Sequence, residues 1–152
     1  MVYLGRNNTI SLYLTNIKMT YYPSIPSPSY VLEENLLKAN LELLKRVQQE
    51  AGVEIICALK GFSFYHEFPL VKQYLAGATA SSLHEARLAF EEMGVKPHVY
   101  SPAYLEAEWN ELSSYAGHIT FNSLNQYNQY KDRAHAAGIS CGLRINPEYA
   151  EV

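Results

Sequence analysis

The sequence contains few of the residues that would indicate a specialised environment. Its two cysteines, Cys57 and Cys141, are far apart and lie in apolar runs. They provide neither a disulfide framework nor a CxxC metal motif, and they suit the reducing cytoplasm. Charged residues make up 18% of the 152 positions, the net charge is −3, and no basic stripe is present. This composition argues against binding to a nucleic-acid backbone.

Long apolar runs and metal-ligand spacings are also lacking. No run approaches the roughly 18 apolar residues that a membrane-spanning helix needs, so we expect no membrane partner. The five histidines show no HxxxH spacing, and we predict that none binds a metal. No GxGxxG follows the first buried strand, which excludes the dinucleotide fingerprint. With 48% apolar residues, the chain can still build a hydrophobic core.

The N-terminal part differs in pattern from the rest of the chain. Residues 1–18 lack an apolar signal-peptide core, and Met19 offers a second plausible start. We therefore predict that residues 1–18 are a non-native leader or disordered, with an additional N-terminal strand as the alternative. Residues 19–32 contain Pro23, Pro26 and Pro28 and are predicted to be extended, because proline keeps the residue before it out of the helical region.

From residue 33 onward, helix and strand patterns alternate. A helix is predicted over residues 33–51, ended by Gly52, and an apolar strand over residues 53–59. The further predicted strands are Gly77–Ala80, His98–Tyr100, His118–Phe121 and residues 141–146. The five strands begin near residues 55, 78, 98, 118 and 141, at intervals of 20 to 23 residues. This regular alternation predicts a parallel α/β architecture.

Serine residues mark where the helices between the strands begin. Ser82 with Glu85 forms a capping box, and Ser123 pairs with Gln126 in the same way. Ser101 followed by Pro102 is also typical of a helix start. Since eight strand–helix units of a (β/α)8 barrel occupy roughly 250 residues, residues 33–152 suit a partial TIM barrel of about five strands. A doubly wound parallel sheet remains an alternative at this point.

Polar residues follow each predicted strand, at the end where such folds place their functional groups. Lys60 follows the most apolar strand, where partial desolvation would favour the neutral amine that Schiff-base chemistry requires. A lysine that simply reaches solvent is the alternative. Arg144 is predicted inside the last strand, where a charge needs a carboxylate partner or an anionic ligand. The complete set is Lys60, residues 79–82, Tyr100 and Ser101, Asn122 and Ser123, and residues 144–146.

Five segments, in this order, resemble those of the fold-type III pyridoxal-phosphate decarboxylases. They are ALKGFS at 58–63, GATASSLHEA at 77–86, HVYS at 98–101, ITFNS at 119–123 and GLRINP at 142–147. The first two segments point to the branch that decarboxylates carboxynorspermidine and carboxyspermidine. Ornithine, arginine and diaminopimelate decarboxylases usually carry an aspartate where this chain has Thr79, so they fit less well. The resemblance runs from about residue 26 to residue 152.

The resemblance implies a fold, a cofactor and site residues. The fold would be the alanine-racemase-like barrel, and the cofactor would be pyridoxal 5′-phosphate. Lys60 would be the catalytic residue that binds the cofactor covalently. Arg144, Glu85 and Thr79 would be further cofactor-binding residues in the polar network around it. The implied reaction is the decarboxylation of carboxynorspermidine or carboxyspermidine to norspermidine or spermidine, a step of polyamine biosynthesis.

The resemblance also implies a cytoplasmic homodimer, with active sites between the subunits of the full-length protein. The family's ring-stacking histidine, glycine-rich phosphate loop, pyridine-facing carboxylate and β-rich domain cannot be mapped onto these residues. We therefore expect the chain to be an N-terminal fragment that is inactive alone. The alternatives are a non-catalytic pyridoxal-phosphate-binding protein of the same fold, a decarboxylase of the ornithine or diaminopimelate type, and a cofactor-free Schiff-base aldolase.

Overall fold

The structure is a computed structural model that describes residues 2–4, 24–26 and 28–149. The chain divides into two compact units, Met1–Asn40 and Leu41–Val152. In the first unit, strand β1 (Val2–Leu4) pairs antiparallel with strand β2 (Tyr30–Leu32). Strand β1 matches the alternative considered for the leader, whereas the rest of residues 1–18 lies outside the described residues. The origin of the leader stays a prediction, and of residues 19–32 only 24–26 and 28–32 are described.

The second unit contains a five-stranded sheet that determines the fold class. Its strands are β3 (Ile56–Ala58), β4 (Gly77–Ala80), β5 (His98–Tyr100), β6 (His118–Phe121) and β7 (Ser140–Leu143). They lie side by side in chain order, and every neighbouring pair is parallel. A doubly wound sheet reverses its strand order at a switch point, and this sheet does not. The order is that of consecutive strands of a (β/α) barrel, which confirms the predicted partial barrel.

The two outer strands are shorter than predicted. Strand β3 begins at Ile56 rather than at residue 53, because the side-chain oxygen of Gln48 accepts the N–H of Ile55 at 2.7 Å. Val53 is consequently 50% exposed. Strand β7 ends at Leu143 and not at residue 146, although the N–H of Arg144 still donates to the carbonyl of Phe121 at 2.9 Å. Arg144 thus lies just after the strand and not inside it.

Helices connect the strands. Helix α1 (Glu34–Ala51) precedes β3 and ends, as predicted, at Gly52, whose φ of 64° is in the left-handed region. A 3₁₀ turn (Tyr65–Glu67) and the short helix α2 (Phe68–Val71) follow β3 and were not predicted. Helices α3 (Leu83–Leu88, extended by a π-helical turn to Met93), α4 (Glu106–Tyr115) and α5 (Leu124–Ala136) follow the next three strands. Among the described helices, none is long and apolar enough to cross a membrane.

Two of the three predicted helix starts are confirmed. The hydroxyl of Ser82 accepts the N–H of Glu85 at 3.2 Å, and that of Ser123 accepts the N–H of Gln126 at 3.3 Å. The start predicted at Ser101 is wrong, because α4 begins only at Glu106. The phenol of Tyr104 folds back, accepts the N–H of Ser101 at 3.1 Å and donates to the carbonyl of Thr120 at 2.7 Å. This contact holds the residues before Glu106 as a loop.

Helices α3, α4 and α5 pack against one face of the sheet. The buried cluster combines strand residues with helix residues, and its largest members are Trp109, Tyr130 and Phe121. The rings of Trp109 and Tyr130 stack with their centroids 4.1 Å apart. Since side chains alternate across a strand, the opposite face carries Thr79, His98, Tyr100, His118, Thr120 and Gly142. We call this set the polar face; its members are half-buried or exposed.

Candidate active site

The parallel sheet brings the carboxyl ends of all five strands to one edge. The register pairs Ala58 with Thr79, Tyr100 with Thr120 and Phe121 with Leu143. All five groups of polar residues predicted from the sequence therefore lie along this edge, at or just beyond the ends of β3 to β7. In parallel α/β folds this is the edge where ligands bind. The described structure thus has a candidate site in the predicted place.

Lys60 follows β3 in a tight turn at one end of this edge. The N–H groups of Gly61 and Phe62 both donate to the carbonyl of Ala58, at 2.9 and 3.0 Å, which fixes the backbone around Lys60. Within the described part of the chain, no hydrogen bond or ion pair engages the Lys60 amine, and the residue is exposed. The burial expected from the sequence is not seen, because Lys60 is exposed. Its amine is free to react with a ligand.

Thr79 and Glu85 lie at and after the end of the neighbouring strand β4. Thr79 is half-buried on the polar face, and its carbonyl accepts the N–H of Leu59 at 3.1 Å. The carboxylate of Glu85 accepts the N–H of Ser81 at 2.6 Å and so closes the capping arrangement at the start of α3. A capping role therefore accounts for Glu85 here, while the Thr79 hydroxyl belongs to the polar face.

Arg144 lies at the opposite end of the edge, and its side chain contacts Tyr100 from strand β5. Its guanidinium donates a hydrogen bond to the phenol oxygen of Tyr100, and the guanidinium carbon lies 5.4 Å from the centre of the Tyr100 ring. The Tyr100 hydroxyl in turn donates to the side-chain oxygen of Asn122 at 3.1 Å. Arg144 is exposed, whereas the sequence placed it in a buried strand. We call these three residues the Arg144 cluster.

Sequence reasoning placed Tyr100 and Asn122 at the functional edge but did not connect them with Arg144. The three residues are 22 to 44 positions apart in the chain. Their contact depends on the register of β5 and β6 and on the exact end of β7. The alternation of side chains across each strand was the available signal, since it places Tyr100 and Thr120 on the face opposite the helices.

A second group of polar side chains surrounds His118, at the start of β6 and further from the carboxyl ends of the strands. Its Nδ1 is 3.1 Å from the Ser140 hydroxyl and its Nε2 is 3.2 Å from the Thr120 hydroxyl. The ring lies against that of His98, with centroids 5.0 Å apart. Burial lowers the pKa of His118, and the neighbouring His98 lowers it further. Among the described residues, no group of histidine, cysteine and acidic side chains could hold a metal ion.

Curated proteins of similar sequence are decarboxylases of carboxylated polyamines. The chain is 50% identical over 129 residues to a carboxyaminopropylagmatine decarboxylase from Synechocystis. It is 42% identical over 130 residues to a carboxynorspermidine/carboxyspermidine decarboxylase from Campylobacter jejuni, and 34% identical over 123 residues to one from Herminiimonas arsenicoxydans. These matches cover 81–86% of this chain but only 33–34% of each relative. The chain is a homologue of these decarboxylases over a third of their length.

A solved structure extends this homology to three dimensions. The crystal structure of carboxynorspermidine decarboxylase from C. jejuni, complexed with norspermidine, matches with a TM-score of 0.78 and 42% identity. The match covers 83% of this chain and 34% of that chain. No protein-family model matches the sequence. The homology thus confirms the resemblance seen in the five sequence segments, and the fold of this chain matches about a third of that solved structure.

Proposed function

We propose that this chain is part of a pyridoxal-phosphate-dependent decarboxylase that acts on a carboxylated polyamine. The observation that carries the proposal is the position of Lys60. Its exposed amine lies just after β3, at the carboxyl end of the strand and inside the ALKGFS segment, with no partner among the described residues. The chain is also 42–50% identical to two decarboxylases of carboxylated polyamines. The products would be norspermidine, spermidine or a related amine. The reaction would belong to polyamine biosynthesis.

The described side chains fit pyridoxal phosphate. The cofactor carries an aldehyde, which needs an amine, and oxyanions, which need a cation. Lys60 supplies a free amine, and Arg144 supplies a guanidinium with no carboxylate partner among the described residues. In a flat sheet, four inter-strand steps of about 4.8 Å would separate the two outer strands by roughly 19 Å. Curvature of the sheet into a barrel would bring Lys60 and Arg144 toward a common axis.

Each candidate residue then has a distinct task. The Lys60 amine would hold the cofactor covalently through its aldehyde carbon. Arg144 would supply a fixed positive charge, and the Thr79 hydroxyl would face the ligand from the polar face. Glu85 would orient the Ser81 and Ser82 turn through its 2.6 Å bond. When bound, the cofactor would supply the electron sink that stabilises the electron pair left on carbon when carbon dioxide is lost.

Three substrates are candidates under this proposal. The resemblance of the motifs favours carboxynorspermidine or carboxyspermidine, as in the names of the C. jejuni and H. arsenicoxydans relatives. Carboxyaminopropylagmatine is the third candidate, because the Synechocystis relative with that name is 50% identical to this chain. All three are carboxylated polyamines, so the reaction at the carboxylate would be the same and the far end of the substrate would differ.

The proposal includes a location and an assembly. Both cysteines, Cys57 and Cys141, are free thiols, which suits a cytoplasmic protein. Cys57 is buried, and burial raises the pKa of its thiol. By family resemblance, the full-length protein would be a homodimer with active sites between its subunits.

A substrate panel tests the proposed function in the full-length protein that contains this chain. With added pyridoxal phosphate, we expect release of carbon dioxide from at least one of carboxynorspermidine, carboxyspermidine and carboxyaminopropylagmatine. Lys60→Ala should abolish turnover, whereas the matched control Lys72→Ala should retain it, since the exposed Lys72 amine donates to the carbonyl of Gly94, away from the candidate site. Turnover of ornithine or diaminopimelate alone, or full activity in Lys60→Ala, would contradict the proposal. The 152-residue chain alone is expected to be inactive.

A further inference from the structure

Arg144 differs from the other arginines of the second unit. Arg46, Arg87 and Arg133 each form an ion pair with a glutamate, at N–O distances of 3.7, 2.9 and 2.6 Å. Among the described residues, Arg144 has no carboxylate partner; its contacts are with the hydroxyl and ring of Tyr100. A guanidinium carries five N–H donors, and Tyr100 accepts only one of them. Most of the hydrogen-bonding capacity of Arg144 is therefore unused by the described residues.

The contact with Tyr100 fixes the direction of the guanidinium in two ways. The ring attracts the cation through its face, and the phenol oxygen accepts one N–H. The Tyr100 O–H is then committed to Asn122, whose oxygen lies 3.1 Å away. This leaves the phenol oxygen as an acceptor toward Arg144.

Hydrogen bonds fix the backbone of Asn122, which directly follows β6. The backbone N–H of Asn122 donates to the side-chain oxygen of Gln126 at 3.0 Å, and the side-chain amide of Gln126 donates to the carbonyl of Pro102 at 2.8 Å. The hydroxyl of Ser123 caps α5 at the next position. The cluster therefore forms a chain of contacts from the cap of α5 through Asn122 and Tyr100 to Arg144. A side chain held in this way loses less entropy when it binds a ligand.

We propose that Tyr100 and Asn122 are positioning residues that hold the Arg144 guanidinium for an oxyanion of the bound ligand. The proposal rests on the proposed function only for the identity of that ligand. The shared chemistry is a planar or tetrahedral oxyanion, for which the guanidinium fork is suited. The two sources are the phosphate of the cofactor and the carboxylate of the substrate.

The positioning part can be tested without any ligand. In the 152-residue chain, NMR relaxation of the Arg144 Nε–H group should show an ordered side chain. Tyr100→Phe keeps the ring but removes the hydroxyl, and Asn122→Ala removes the acceptor of that hydroxyl; both should make Arg144 more mobile, toward the behaviour of the exposed Arg46. Tyr127→Phe is the matched control, since this half-buried tyrosine packs against Phe121 on the opposite face of the sheet. Unchanged order of Arg144 in Tyr100→Phe would overturn the positioning role.

Ligand binding to the full-length protein distinguishes the two oxyanions. If Arg144 binds the phosphate, Tyr100→Phe should weaken pyridoxal phosphate binding about five- to tenfold and leave binding of unphosphorylated pyridoxal unchanged. If Arg144 binds the substrate carboxylate, the same variant should raise KM by a similar factor and leave cofactor affinity unchanged. Arg144→Lys, which keeps the charge but loses the fork, should show the same loss. If neither the affinity for pyridoxal phosphate nor the KM for the substrate changes, the oxyanion role is refuted. A protein that decarboxylates none of the substrates but has an ordered Arg144 side chain would contradict only the proposed function.

Discussion

Replacement of Gly142 by alanine tests how tightly the polar face is packed. A β-carbon at Gly142 would lie 2.9 Å from His118 Nε2, 3.2 Å from His118 Cε1 and 3.2 Å from the Thr120 hydroxyl. The first distance is shorter than real β-carbon contacts, so the imidazole has to move. Among the described glycines, those with positive φ are at other positions. Backbone strain therefore does not contribute, and the steric effect is isolated.

The size of the effect follows from the contacts of His118. Displacing the ring breaks its hydrogen bonds with Ser140 and Thr120, each worth about 1 kcal/mol. Alanine gains back about 0.7 kcal/mol relative to glycine within a strand. We therefore expect Gly142→Ala to lower the free energy of unfolding by about 1.3 kcal/mol. In a His118→Ala background the ring is absent, and the same change should stabilise the chain by about 0.7 kcal/mol.

Urea unfolding of the four chains in this double-mutant cycle measures both values. Trp109 is the single tryptophan and is buried in the core, so its fluorescence reports global unfolding. The coupling free energy between positions 118 and 142 should be about 2 kcal/mol, the value of the two hydrogen bonds that the ring loses. Equal effects of Gly142→Ala in the two backgrounds would refute the proposed packing, as would stabilisation in the wild-type background.

Three further predictions concern pH and helix capping. Because the pKa of His118 is lowered in the folded chain, the unfolded chain binds more protons than the folded chain below about pH 6.5. The free energy of unfolding should therefore decrease as the pH drops below about 6.5. Urea titrations of His118→Asn should show a smaller decrease over the same pH range. Burial raises the pKa of Tyr104 to about 12, so stability should be intact below about pH 10 and decline toward pH 12, with a smaller decline in Tyr104→Phe. Ser82→Ala and Ser123→Ala should each cost about 1 kcal/mol by urea unfolding, whereas Ser114→Ala inside α4 should change stability by less than about 0.5 kcal/mol.

The central strands could be predicted from the sequence residue by residue. Strands β4, β5 and β6 have the predicted bounds, because β4 begins at a glycine, a proline or glycine precedes β5 and β6, and a polar turn follows each strand. The caps at Ser82 and Ser123 were predictable for a similar reason, since each serine hydroxyl accepts the N–H of the glutamate or glutamine three positions later. The side chain of that later residue accepts the N–H of the residue before the serine. Local chemistry was sufficient for these elements.

Other features depend on residues distant in the chain. Helix α4 starts later than Ser101 and Pro102 suggested, because Tyr104 bonds the carbonyl of Thr120, sixteen residues away. The contact of Arg144 with Tyr100 likewise requires the register of neighbouring strands. The sequence pattern placed Arg144 in a strand because Leu143 and Ile145 flank it, yet Ile145 is 80% exposed. Such contacts follow from tertiary packing, which periodicity alone does not specify.

The central claim is that Lys60 binds pyridoxal phosphate. The most direct measurement is to mix the chain with stoichiometric pyridoxal phosphate, reduce it with borohydride and map the modified lysine by mass spectrometry. The account predicts that the pyridoxyl group lies mainly on Lys60, and that Lys60→Ala loses this modification while Lys72→Ala keeps it. A modification spread evenly over the surface lysines, or unchanged in total by Lys60→Ala, would contradict the assignment of Lys60.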